Sequence, residues 1–87
     1  MENYNRVEKN RYGTFYFLNK KLHRIGGTAV EYLTGGKMWY QNGKRHRIDG
    51  PAVKHSNGNK FWYYGDELIN CKSQKDFERY IKLKLFW

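Results

Sequence analysis

Apolar and polar positions alternate over short stretches of this chain, break at glycine or asparagine, and then resume. "AVEYLTGGKMWYQ" (29–41) is the clearest case, with two runs rich in Val, Tyr, Met and Trp meeting at Gly35-Gly36. A period of two sends successive side chains to opposite faces of a strand, and β-branched and aromatic residues suit that pleated surface. Glycine and asparagine take positive φ at low cost, so Gly35-Gly36 and Asn57-Gly58 predict hairpin turns. Strands are expected near 7–11, 14–18, 29–33, 37–41, 52–56 and 60–64, with a tight turn at Gly65-Asp66. Segments 19–28 and 42–51 carry Gly and Asn, the second also Pro51, and are expected to be loops.

The pattern changes near residue 73. In "SQKDFERYIKLKLFW" (73–87), Ser73 has the place of an N-cap with Asp76 three residues on, and Phe77, Tyr80, Ile81 and Leu85 share one helical face. A helix near 74–84 is predicted, covering one face or one end of the sheet. The fold class is then α+β, mostly β.

A longer period underlies the short one. Segments 15–37 and 38–60 align without gaps and agree at ten of 23 positions, among them Asn19/Asn42, Lys21/Lys44, His23/His46, Arg24/Arg47, Gly27/Gly50 and Lys37/Lys60. A third unit opens at "FWYYGDEL" (61–68) and then degenerates, and a partial unit precedes the first. A short fixed period is the mark of stacked units, each hiding its apolar face against the next, with atypical units at the ends. The expected architecture is an antiparallel meander of tandem ~23-residue β-hairpin repeats capped by one C-terminal helix: a single domain over 1–87, with repeats in 7–72 and the helix in 73–87.

Composition adds charge to this frame. The net charge is +9, and residues 13–63 hold nine lysines and arginines against Glu31 and Asp49 alone. Such a field favours anionic partners: nucleic acid, nucleotides, acidic proteins or anionic lipid. Aromatics make up 18% of the residues, and their large rings compensate for the shallow core of so short a chain. Cys71 is the sole cysteine, so no internal disulfide forms, which fits a reducing compartment. No apolar run approaches the ~20 residues of a membrane span, and polar residues follow Met1. A cytoplasmic location is expected.

The period and the phrase "WYQNGKRHRIDG" (39–50) resemble a MORN-type repeat, through Trp39, Asn42, Gly43, Lys44 and His46. The first unit is similar through Tyr16, Asn19, Lys21 and His23, with Lys20 where glycine is expected. Arg24 and Arg47 stand where the common motif has glycine, and "DGPA" (49–52) is an addition. The form "NGKxHRxDGPA" followed by a helix is similar to a divergent group of small proteins of bacteriophages, giant viruses and some bacteria. The resemblance implies a scaffold or binding role, by protein association or membrane attachment, and no common catalysis.

Two sets of residues are candidates for a site. Lys21, Arg24, Lys44, Arg45 and Arg47 recur at loop positions and are expected to form an outward basic edge, because loops carry function more often than scaffolds do. Unit one has Gly26 where Asp49 stands, so Arg24 lacks the carboxylate expected to pair with Arg47, and its fork suits phosphate or carboxylate. Tyr16, Trp39 and Trp62 fall in one row of the stacked units and are expected to offer an aromatic surface that stacks bases or engages a protein groove. Phe17, Tyr40 and Tyr63 form the next row, so large rings fall on both faces of the sheet. His23, His46 and Asp49 are expected to order the loops. No metal site, cofactor or nucleophile–base pair is expected, and the protein is not expected to be an enzyme. The leading reading is a small basic non-catalytic binding protein that engages an acidic surface of a host protein or complex and inhibits a host process such as defence, in the cytoplasm of the bacterial host if phage-encoded. The alternatives are a protein that binds or sequesters nucleic acid or a signalling nucleotide, and a scaffold on anionic membrane. The oligomeric state is left open, a homo-oligomer included.

Overall fold

The computed structural model describes residues 3–85. The chain forms β1 (Arg6–Asn10), β2 (Gly13–Leu18), β3 (Lys21–Leu22), β4 (Val30–Tyr32), β5 (Lys37–Met38), β6 (Tyr40–Gln41), β7 (Lys44–Arg45), β8 (Val53–Lys54), β9 (Lys60–Tyr64), β10 (Glu67–Ile69) and α1 (Gln74–Leu85). The main sheet runs β1-β2-β4-β5-β8-β9-β10, with β3 also on β2 and β6-β7 as a separate pair. Every pairing is antiparallel. The architecture is the mostly-β meander with one C-terminal helix that the alternation predicts. The expected place of Leu85 on the apolar face, and residues 86–87 of the expected helix, fall outside what is described.

The expected loops 19–28 and 42–51 are corrected by the structure, because each opens with a short strand. Asn19 and Lys20 have φ of 51° and 71°, Asn42 and Gly43 of 53° and 80°, and Gly65 and Asp66 of 56° and 73°. Two consecutive positive φ values define the tight turn whose twist matches a hairpin. The chain therefore folds back at once into β3, β7 and β10. Strands β2 and β9 thus change partner midway. Gly13–Phe15 pair with β4, whereas Phe17 and Leu18 pair with β3. Tyr16 sits at the crossing: its N–H donates to the Ala29 carbonyl at 2.8 Å, and its carbonyl accepts from His23 N–H at 3.0 Å. Trp39 repeats this with Ala52 at 2.8 Å and His46 at 3.1 Å, which splits the expected strand 37–41 into β5 and β6. The expected 29–33 and 52–56 shrink to 30–32 and 53–54.

The register defines two faces. Phe15, Val30, Met38, Val53 and Phe61 form one rung across five strands. Adjacent positions point the other way, so Tyr16, Trp39 and Trp62 lie on the opposite face with Ile69. Helix α1 packs on that second face. Phe77 (0% exposed) and Ile81 join Trp62 and Ile69 in a cluster flanked by Tyr64, Cys71 and Tyr80. Ser73 Oγ accepts from Asp76 N–H at 3.2 Å and caps the helix. Burial pushes the Cys71 thiol up, so it stays protonated at neutral pH.

Candidate functional site

The phrase His-Arg-Ile-x-Gly folds the same way in both units. His23 Nδ1 accepts from Asn42 N–H at 2.9 Å, and His46 Nδ1 accepts from Gly65 N–H at 2.9 Å. Each histidine thereby ties its own loop to the tight turn of the next unit. The arginine that follows doubles back. Arg24 Nη1 donates to the Thr28 carbonyl at 3.3 Å, and Arg47 Nη1 donates to the Pro51 carbonyl at 3.1 Å. The Arg24 guanidinium lies 4.1 Å from the centre of the Tyr16 ring, and that of Arg47 lies 3.8 Å from Trp39. An arginine face on a ring is held by the ring's quadrupole as well as by contact. The glycine closing the phrase leaves room for this return, since a Cβ at Gly50 would stand 2.6 Å from Arg47 Cζ, and one at Gly27 3.1 Å from Arg24 Cζ.

The expectation that the arginines point outward from a basic edge is therefore corrected. Arg24 and Arg47 lie flat on the second face. Arg47 also donates to Asp49 at 2.9 Å, and its side chain is 21% exposed against 87% for Asp49. Arg24, without that carboxylate, takes a second ring instead, with Tyr4 at 5.7 Å. Arg45 bonds Asp66 at 2.7 Å and the Tyr63 hydroxyl at 3.2 Å, and this contact holds the Asp66 carboxyl below the usual carboxylate range. Lys21 and Lys44 are exposed. They belong to one edge where the tight turns lie side by side: Gly43 N–H donates to the Leu22 carbonyl at 2.8 Å, and Asp66 N–H donates to the Arg45 carbonyl at 2.8 Å.

The expected aromatic surface is also rearranged. Trp62 is buried (7% exposed) beneath α1, and its indole N–H donates to Gln74 Oε1 at 2.8 Å. Trp39 is half-buried under Arg47, and Tyr16 lies between Arg24 and Tyr4, whose ring centre is 4.9 Å away. Loops and helix thus cover one face, and the aromatic row on the other face carries no helix. There Tyr32 (40%), Phe61 (37%) and Leu68 (55%) are exposed, with Tyr40 and Tyr63 half-buried among them. Burial pushes the Tyr40 hydroxyl up against the lowering effect of Arg45. The alternating rows of large residues held the signal for this face. What decided which face stayed open was the course of the arginine loops.

Among the described residues no group of three or more His, Cys, Asp or Glu is placed to hold a metal ion. No described helix is long and apolar enough to cross a membrane. No protein-family model, curated protein or solved structure matches this chain.

Proposed function

We propose that this chain is a small basic binding protein without catalytic activity, which engages an acidic surface of another protein through the edge of tight turns and the helix-free aromatic face beside it. One observation carries the reading: the tight turns line up in one hydrogen-bonded, positively charged edge. Backbone hydrogen bonds between neighbouring turns fix the positions from which Lys20, Lys21 and Lys44 project, and all three are exposed. A row of ordered charges accelerates and orients encounter with an opposite surface, while buried contact supplies the lifetime of the complex. The residue types that dominate such contact, tyrosine and arginine, stand next to the edge as Tyr40, Tyr63 and Arg45. Arg45 is already held by Asp66 and Tyr63, so little side-chain freedom is lost when a partner docks. If the likeness to the MORN-like phage group holds, the partner is a host protein or complex, and blocking a defence process is the effect that fits.

The test is affinity purification from nuclease-treated host lysate with the wild type, with Lys21→Glu/Lys44→Glu, and with Tyr63→Ala. The expected result is one acidic protein retained by the wild type and lost by both variants, each of which keeps its thermal transition. Retention that disappears with nuclease, or that survives the double charge reversal, overturns the reading.

A further inference from the structure

We propose a second site, on the opposite face: Lys54, Lys60 and Lys72 bind a ligand that carries consecutive phosphate groups, as a nucleoside triphosphate does. Lys37 and Lys54 are Cα partners across β5 and β8, and Lys54 and Lys60 are partners across β8 and β9. Three lysines therefore occupy consecutive positions of one rung on one face, where like charges directly opposite each other destabilise a sheet. The repeat supplies its own comparison. Twenty-three residues before Lys54 stands Glu31, which is opposite Lys37 in the register and accepts a hydrogen bond from Thr28 Oγ1. In the second unit both members of that bond are changed, to Pro51 and Lys54. The first unit compensates its lysine and the second adds another.

The rung opens on a groove. Lys54, Lys60 and Lys72 line a cavity of about 450 Å³ between the sheet, the Gly50-Pro51 wall and the first turn of α1. That volume is within the range of small-molecule sites. None of the three lysines takes part in an ion pair among the described residues. The carboxylate on the lining is Asp49, which is already bonded to Arg47. The helix end is not what makes the site, because Ser73 and Asp76 already occupy its first turn. Lysine is a point charge suited to phosphate oxygens, and strands spaced about 4.8 Å apart bring two or three ammonium groups to one phosphate chain. A single phosphate reaches fewer of them. A groove of about 450 Å³ matches a small ligand in size better than a nucleic-acid strand.

The site does not rest on the turn-edge reading. Its Lys60 lies five residues back along the chain from the turn at Gly65, ~16 Å at about 3.3 Å per residue. Lys21→Glu/Lys44→Glu should leave it unchanged, so the two readings fail separately. Calorimetric titration at 0.15 M salt would use inorganic tripolyphosphate, ATP, AMP and a 20-nucleotide single-stranded DNA. The expected result is one-to-one binding of tripolyphosphate and ATP, with AMP at least tenfold weaker. Lys54→Glu and Lys60→Gln should each weaken ATP at least tenfold, whereas Lys9→Glu, on the remote strand β1, should not. Without ligand, Lys54→Glu should melt at or above the wild-type temperature, because the new carboxylate faces Lys37 and Lys60. Absence of saturable binding, equal affinity for AMP and ATP, or equal weakening by Lys9→Glu overturns the proposal. DNA binding tighter than tripolyphosphate, with a salt slope of several phosphates, overturns the small-ligand assignment in favour of a strand.

Discussion

The guanidinium carbon of Arg47 lies 3.8 Å from the centre of the Trp39 ring, and no residue larger than glycine fits at position 50 without moving it. A Cβ there would also meet Arg47 Nη1 and Nη2 at 2.8 and 2.9 Å. Gly50→Ala should push the guanidinium off Trp39 and break its bonds to Pro51 and Asp49. The expected loss is about 1–2 kcal/mol, the sum of a partly buried cation–π contact and a hydrogen bond. For a domain this small that lowers the melting temperature by roughly 4–8 °C per kcal/mol. In an Arg47→Ala background the same substitution should cost little, and a double-mutant cycle of melts measures the difference.

Gly13 is constrained by backbone rather than by a side chain. A Cβ there would stand 2.1 Å from the Glu31 carbonyl oxygen and 2.8 Å from Tyr32 Cα. Neither atom can turn away, so Gly13→Ala must open the β2–β4 pairing, at a cost of more than about 3 kcal/mol. Gly58→Ala meets nothing within 4 Å and pays only for its φ of 93°, about 1–2 kcal/mol. Denaturant midpoints of the two variants should therefore differ clearly, with Gly13→Ala the less stable.

Phe77 is fully buried between α1 and the sheet. Phe77→Ala should cost ~3–5 kcal/mol, a large share of the 5–15 kcal/mol that holds a typical domain together. Circular dichroism at 25 °C should show loss of the cooperative transition. An unchanged melting temperature would mean that α1 does not anchor the sheet.

His46 gives the fold an acid-sensitive point. Burial lowers its pKa below the ordinary 6.5, and Nδ1 must stay unprotonated to accept from Gly65 N–H. The unfolded chain therefore binds this proton first, so this contribution to stability is complete above pH 6.5. It is lost as pH falls from there through the folded value. His46→Phe should remove that part of the slope as pH falls below about 7 in a series of melts. The wild-type slope persisting unchanged in the variant would sink this assignment.

The long strands near 14–18 and 60–64 and the helix from 74 were legible because each spans enough residues to show a period. Strands β3 and β7 were not, since Lys21-Leu22 and Lys44-Arg45 are too short to alternate. Lys20 gave no sign of a left-handed turn either. It holds a φ of 71° in a turn stitched to its neighbours, so tertiary pairing overrides local preference. The candidate site was half-legible. The lysines and the aromatic rows could be read, but nothing in the residue types shows that Arg24 and Arg47 fold back onto Tyr16 and Trp39 instead of pointing outward. An arginine is polar at its tip and flat on its face, and residue type alone does not say which aspect the fold uses.

The helix also closes the run of hairpin units. In the first two units the ring at the strand crossing receives the arginine of its own loop. In the third, residue 70, where that arginine would fall, is Asn70, and Trp62 receives Gln74 instead, whose amide nitrogen reaches back 2.9 Å to the Ile48 carbonyl. The number of units is thus written on a single indole: whatever docks there either propagates the array or terminates it. Adding a further unit after β10 would require moving α1 off Trp62 first.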